Sequence, residues 1–185
     1  DLAGNTRRLL VETVTKDRKF KDDTLNIPYS FIERKSLEML NKEGADKETF
    51  LEMNETMRVA NRAKIKSMLD ASPSSEPLWD GAFYRNAGAP KAEYAEHRTY
   101  MLDNVEIDQQ THYGVDIAGL AKMPIRAANN GVVIFAEYLG IYGNCVIVDH
   151  GGRVFTMYAH LSEMNVSPGT HVTKKQAIGR SGNTG

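Results

Sequence analysis

His112 and Asp116 stand four residues apart in the stretch "THYGVDIAG", residues 111–119. Imidazole and carboxylate are ordinary zinc ligands, and a catalytic zinc site takes three protein ligands and keeps one position open. On one strand, positions i and i+4 share a face, and Gly114 between them keeps that face clear, so both side chains can converge on one point. A second candidate lies in "VFTMYAHLSEM", residues 154–164. There His160 ends an apolar run and can project from a strand edge, where an imidazole serves as a general base or steadies an oxyanion during attack on a carbonyl. Tyr158, two residues earlier on the same strand, is expected to face the same side, either lining a substrate cleft or packing. Each residue alone also has a bland reading, with His112 and His160 as hydrogen-bonded strand-end histidines and Asp116 as a turn former.

Such residues need strands to hold them, and the chain supplies these after residue 77. "TYMLDNVEI" reads as two strands around an Asp103-Asn104 turn. "GVVIFAEYLG", "NCVIVDHG", "RVFTMYAHL" and "HVTKKQAIG" follow, each short, apolar and closed by glycine or Asp/Asn. Short strands at regular spacing imply a mainly β, antiparallel, barrel-like sheet.

The chain before residue 77 has a different period. "RLLVETV", residues 8–14, is apolar and β-branched enough for a strand, and "TKDRKFKDD" is a charged connector. "SFIERKSLEMLNKEG" predicts a helix with a capping box from Ser30 to Glu33 and a C-terminal cap at Gly44. Asp46 is placed to cap a second helix, along which Phe50, Met53, Met57 and Ala60 recur at helical spacing as a packing face. "DASPSSEP", residues 70–77, is a Ser/Pro-rich break. The expected organisation is a linking strand over 1–20, or the end of an upstream immunoglobulin-like domain, since "DLAGN" resembles the closing strand of bacterial immunoglobulin-like repeats, then a helical extension over 21–77 and a β domain over 78–185, α+β overall. The extension could cap the β domain, occlude a groove or contact a partner, and its pattern shows only that one face is buried.

The balance of 23 basic and 24 acidic residues leaves no basic stripe, which argues against nucleic acid as a partner. No run approaches the roughly 18 apolar residues of a membrane span, and "DLAGNTRRLL" lacks the regions of a signal peptide. Cys145, the single cysteine, lies in the apolar run "CVIV" and reads as a small buried hydrophobe.

Over roughly residues 80–185 the sequence resembles the lysostaphin/LytM-type zinc metallopeptidases, which cut peptide bonds in bacterial peptidoglycan. "HYGVDIAG", "PIRAANNGVVIFAEYLGIYGNCVIVDHG" and "YAHLSEMNVSPGTHVTKKQAIGRSGNTG" carry the resemblance, and "YAEHRTY" carries it more loosely. It implies that His112 and Asp116 bind zinc, that His160 is catalytic and unligated, and that the protein acts outside the cytoplasmic membrane, in periplasm, cell envelope or medium. The family's third ligand comes from a His-x-His motif a few residues past the "GxTG" turn, and the chain stops at Gly185 within that turn. His97, His150 and His171 have no motif to support them as substitutes. The chain is therefore expected to be a fragment, trimmed also before "DLAGN", whose missing segment could be supplied in trans. The competing expectation is an inactive relative that binds peptidoglycan or regulates a cell-wall amidase. The glycine-turn rhythm also resembles barrel-sandwich carrier modules, but these do not explain His112 paired with Asp116.

Overall fold

The structure, a computed structural model, describes residues 19–72 and 76–185. The strand expected over residues 8–14, and residues 73–75 of the Ser/Pro-rich break, lie outside the described residues.

Strand β1 (Asp22–Asn26) forms in what reads as a charged connector, and it pairs in parallel with β3 (Glu96–Leu102), so the sheets are not wholly antiparallel. Its alternation explains this, because Leu25 packs inward beneath the helices while flanking polar residues face out. Helix α1 (Tyr29–Leu40) begins after Pro28, and no side chain caps it. The Ser30–Glu33 capping box does not form, because Pro28 sets the entry and Ser30 already lies inside the first turn. The helix ends at Asn41, in the left-handed region with φ 53°, and not at Gly44. Asp46 caps α2 (Lys47–Leu51) as expected, accepting from Thr49 N at 2.8 Å. The helix then passes through a π-helical turn (Glu52–Met57) into α3 (Arg58–Ala71). That wider turn rotates the packing face, so Phe50 and Met53 are buried while Ala60 is exposed.

The expected hairpin is present: β3 and β4 (Val105–His112) meet at Asp103 and Asn104, whose φ values of 51° and 62° are those of a type I′ turn. Strand β2 (Ala89–Ala92) pairs with β5 (Asp116–Ala118). The remaining strands are β6 (Pro124–Arg126), β7 (Gly131–Tyr138), β8 (Asn144–Asp149), β9 (Phe155–Met164), β10 (His171–Val172) and β11 (Ala177–Ser181). They form an antiparallel sheet in the order β10-β7-β8-β9-β11-β6. "HVTKKQAIG" thus makes two strands, separated by a turn in which Lys175 has φ 70°.

The helices cover the two larger sheets. Ile32, Phe50 and Met53 pack on Tyr100 and Leu102 of β3. Ile65, Met68 and Leu69 lie against Phe135, Leu139, Cys145 and Ile147 on β7, its following loop and β8. Each side chain fully buried in this way contributes roughly 1.5–3 kcal/mol. Cys145 is wholly buried, and burial pushes its thiol up to about 12, which makes it a packing residue.

Candidate metal and catalytic site

His112 is the last residue of β4 and Asp116 the first of β5, so they do not share one strand face. The chain turns at residues 113–115, and that turn brings the side chains together, with His112 Nε2 3.1 Å from Asp116 Oδ1. Gly114 sits inside it, where an added Cβ would lie 3.5 Å from Nε2.

The outer atoms of the pair are anchored. His112 Nδ1 is 3.1 Å from Glu93 O, and since a carbonyl oxygen only accepts, Nδ1 carries a proton and Nε2 is the nitrogen left to meet Asp116, as an N–H donor when protonated or through its lone pair when a metal stands between them. Asp116 Oδ2 accepts from an Arg98 terminal nitrogen at 2.9 Å, and Arg98 Nε donates to Glu96 Oε1 at 3.0 Å. The hydrogen bond from His112, followed by that from Arg98, outweighs desolvation and holds the Asp116 carboxyl down to about 2. Two lone-pair atoms facing each other at 3.1 Å need positive charge between them, from a proton on Nε2 or from a metal ion. Donors bound to tetrahedral zinc at about 2.0–2.1 Å stand roughly 3.3 Å apart. The spacing and donor types therefore fit two ligands of a zinc ion. Among the described residues no group of three His, Cys, Asp or Glu side chains is close enough together to hold a metal.

His160 does not end its strand. It lies inside β9 at a bulge, where Tyr158 pairs with Val146 but Leu161 with Asn144, and its φ is 58°. Such a conformation costs on the order of 1–3 kcal/mol for a residue other than glycine, and it turns the side chain out of the sheet. The ring is exposed, and Nδ1 donates to Thr184 O at 2.7 Å, leaving Nε2 free. The bulge also breaks the expected alternation with Tyr158. Tyr158 and Leu161 both pack on the sheet core, whereas His160 faces away. The Tyr158 hydroxyl accepts from Ala128 N at 2.7 Å and bonds Thr156 Oγ1 at 2.9 Å.

The segment that anchors His160 is itself gripped. Thr184 Oγ1 donates to Leu161 O at 2.8 Å and accepts from Asn144 N at 3.0 Å. Gly143, with φ 59°, permits this approach, since a Cβ there would come within 2.3 Å of the Thr184 carbonyl. From α1, Lys35 Nζ donates to Asn183 O at 3.1 Å, and Glu38 accepts from Gly185 N at 2.6 Å. The helical extension thus buttresses the loop beside His160. It also reaches the other histidine's neighbourhood, where the Arg62 guanidinium lies 5.2 Å over the ring of Tyr113. Between α3 and the hairpin is a cavity of about 290 Å³, lined by Arg62, Arg98, Gln110 and Tyr113 among others, but not by His112, Asp116 or His160.

His150 is fully buried, while His97 and His171 are exposed. Arg98 and Glu96, which organise Asp116, were not singled out by sequence reasoning. The signal available was an acidic and a basic residue at i and i+2, on one strand face.

Residues 110–185, the stretch from the end of β4 through the loop past β11, match the model of Peptidase family M23. The likeness to that family is carried by this segment. Within the M23 segment lie His112, Asp116 and His160. Over 86 residues the chain is 40% identical to the DD-carboxypeptidase/endopeptidase Mpg of Neisseria meningitidis serogroup B, covering 46% of this chain and 20% of that protein. Over 74 residues it is 39% identical to the peptidoglycan DD-endopeptidase ShyA of Vibrio cholerae serotype O1, covering 40% of this chain and 17% of that one. The match thus spans about a fifth of the length of these relatives. Among solved structures, lysostaphin of Staphylococcus simulans is similar at 35% identity over 40% of this chain and 31% of that one, with a TM-score of 0.39. A zinc-containing peptidase from Vibrio cholerae is similar at 22% identity over 60% and 33%, with a TM-score of 0.47.

Proposed function

We propose that the protein is a zinc-dependent endopeptidase that hydrolyses peptide bonds in bacterial peptidoglycan, acting outside the cytoplasmic membrane. The observation that carries this is the His112–Asp116 pair, two facing donors at 3.1 Å within the M23 segment. One relative named as a peptidoglycan DD-endopeptidase and another named as a DD-carboxypeptidase/endopeptidase support the substrate class.

His112 would ligate through Nε2 and Asp116 through Oδ1, the two atoms their surroundings leave unclaimed. Zinc, when bound, supplies Lewis-acid chemistry, bringing the pKa of water toward about 7 and polarising a carbonyl oxygen. The Glu93 carbonyl fixes the His112 tautomer, a common device around ligating histidines. His160 is set up for proton transfer: Thr184 O holds the proton on Nδ1, so Nε2 can take a proton from attacking water. As the water oxygen bonds to the carbonyl carbon and the C–N bond breaks, that proton passes to the leaving amine. Tyr158 holds Ala128 and the strand that bears His160 through its buried hydroxyl, and reaches the substrate only through that framework.

The test is to incubate the full-length protein with isolated peptidoglycan, with and without zinc, and to analyse the fragments by mass spectrometry. Zinc-dependent release of new amino termini, lost in His112→Ala, is expected. Binding to peptidoglycan without cleavage at any zinc level would replace this reading with that of a binding module.

A further inference from the structure

We propose that Arg98 is a positioning residue of the zinc site, held by buried Glu96, and that it reserves a single oxygen of Asp116 for the metal. This rests on the zinc reading above and concerns the shape of that site.

The guanidinium uses two edges. Nε goes to Glu96 Oε1 at 3.0 Å and a terminal nitrogen to Asp116 Oδ2 at 2.9 Å, so the planar fork fixes one carboxylate relative to the other. With Oδ2 occupied, Oδ1 alone faces His112 Nε2. Glu96 is the root of the arrangement. Its side chain is 1% exposed, and a buried carboxylate is retained where it is paired. Its other oxygen, Oε2, makes no hydrogen bond among the described residues, and its second cationic neighbour, Lys21 Nζ, stands 3.9 Å away. Arg98 is therefore the group that compensates Glu96, and Glu96 keeps Arg98 from swinging to solvent. Lys21 immediately precedes β1, and its carbonyl accepts from His97 N at 2.9 Å, so the edge strand completes the row Lys21, Glu96, Arg98 and Asp116 with alternating charge, and the row ends against His112 Nε2.

A salt bridge that served stability alone would leave metal binding unchanged. The experiment measures zinc affinity of the full-length protein by competition with a chromophoric chelator, and the visible spectrum of the cobalt-substituted form, for the wild type, Arg98→Gln and Arg98→Lys. Loss of an outer-shell partner weakens metal affinity about 10–100-fold. Arg98→Gln is expected to fall in that range with an altered cobalt spectrum, because Asp116 is then free to turn both oxygens to the metal. Arg98→Lys keeps the charge but cannot bridge both carboxylates, and is expected to weaken binding by a smaller factor, with the spectrum still displaced. Wild-type affinity and spectrum in Arg98→Gln overturn the inference. If that variant does not fold, the same result in Arg98→Lys does so. A wild type that binds no zinc removes the metal reading itself, and the inference with it.

Discussion

The histidine just past β8 and the two histidines of the candidate site differ in what becomes of their second ring nitrogen. His150 is closed at both ends, with Nδ1 2.6 Å from Asn130 O and Nε2 2.8 Å from Thr156 Oγ1. The carbonyl fixes the proton on Nδ1, so Thr156 donates to Nε2, Tyr158 donates to Thr156 and Ala128 N donates to Tyr158, with every donor placed. The ring also packs edge-on against Phe83, centroids 5.0 Å apart. His112 and His160 begin the same way, each with Nδ1–H on a backbone carbonyl. Their Nε2 atoms then differ from that of His150: one faces a carboxylate oxygen and the other is open. A saturated imidazole holds strands together, whereas a half-saturated one has a lone pair to spend on a metal or a proton.

Mutation of each class should separate these roles, and the largest effect belongs to the proposed ligand pair. His112→Ala or Asp116→Ala should remove zinc binding and reduce peptidoglycan hydrolysis to background, with the melting temperature of the metal-free protein little changed because both groups reach solvent. Elemental analysis of the purified variants beside wild type checks this, and stoichiometric zinc in either would dissolve the contrast. His160→Ala should retain zinc and lose turnover by about 10²–10⁴-fold, the usual contribution of a positioned general base. Undiminished turnover in the zinc-loaded variant would take His160 out of the mechanism. His150→Ala should do the converse. It leaves a cavity and strands the Asn130 carbonyl and the Thr156 hydroxyl, for a loss of about 3 kcal/mol in denaturant unfolding. Zinc affinity in that variant, measured well below its unfolding midpoint, should match wild type.

The sequence announces this contrast only in part. His-x-x-x-Asp, the Asp103-Asn104 turn and the Asp46 cap are local devices, and each appears where short-range chemistry puts it. What holds the site is not local. A two-residue hairpin turn alone would set Glu96 opposite Thr111, but Ile107 is an extra residue on β4, between the Tyr100–Asp108 and Met101–Glu106 pairs, and this shift brings Glu96 opposite His112. A second bulge, at His160, undoes the alternation that would have aligned it with Tyr158. One inserted residue reverses every facing beyond it, so period-2 reasoning fails at the bulges, and these lie beside the functional groups. The π turn does the same to the helix, carrying Ala60 off the buried face. Strand β1 escaped notice because Leu25 is its one large apolar residue and its pairing partner lies some seventy residues on.

The smallest effect, and the one that isolates His150, is in the pH dependence of stability. Burial lowers its pKa below the ordinary 6.5, with the bond to Asn130 O and the neighbouring Asp149 charge opposing in part. Asp149 is itself occupied, accepting from Gly151 N at 2.7 Å and from the Ser72 hydroxyl. Between the lowered folded value and 6.5, the unfolded chain binds a proton at this site that the folded chain does not, so stability rises with pH across that interval. The contribution is fully present above 6.5 and is lost as pH falls from there through the folded value. Protonation would put a second N–H against Thr156 Oγ1, forcing that hydroxyl to turn and breaking the donor order through Tyr158. Urea midpoints followed downward from neutral pH should therefore decline more steeply in wild type than in His150→Leu, which starts less stable. The exposed histidines are common to both proteins and cancel in the difference, so parallel slopes would mean that the ring stays neutral at no energetic cost, and that the saturated site is held by packing alone.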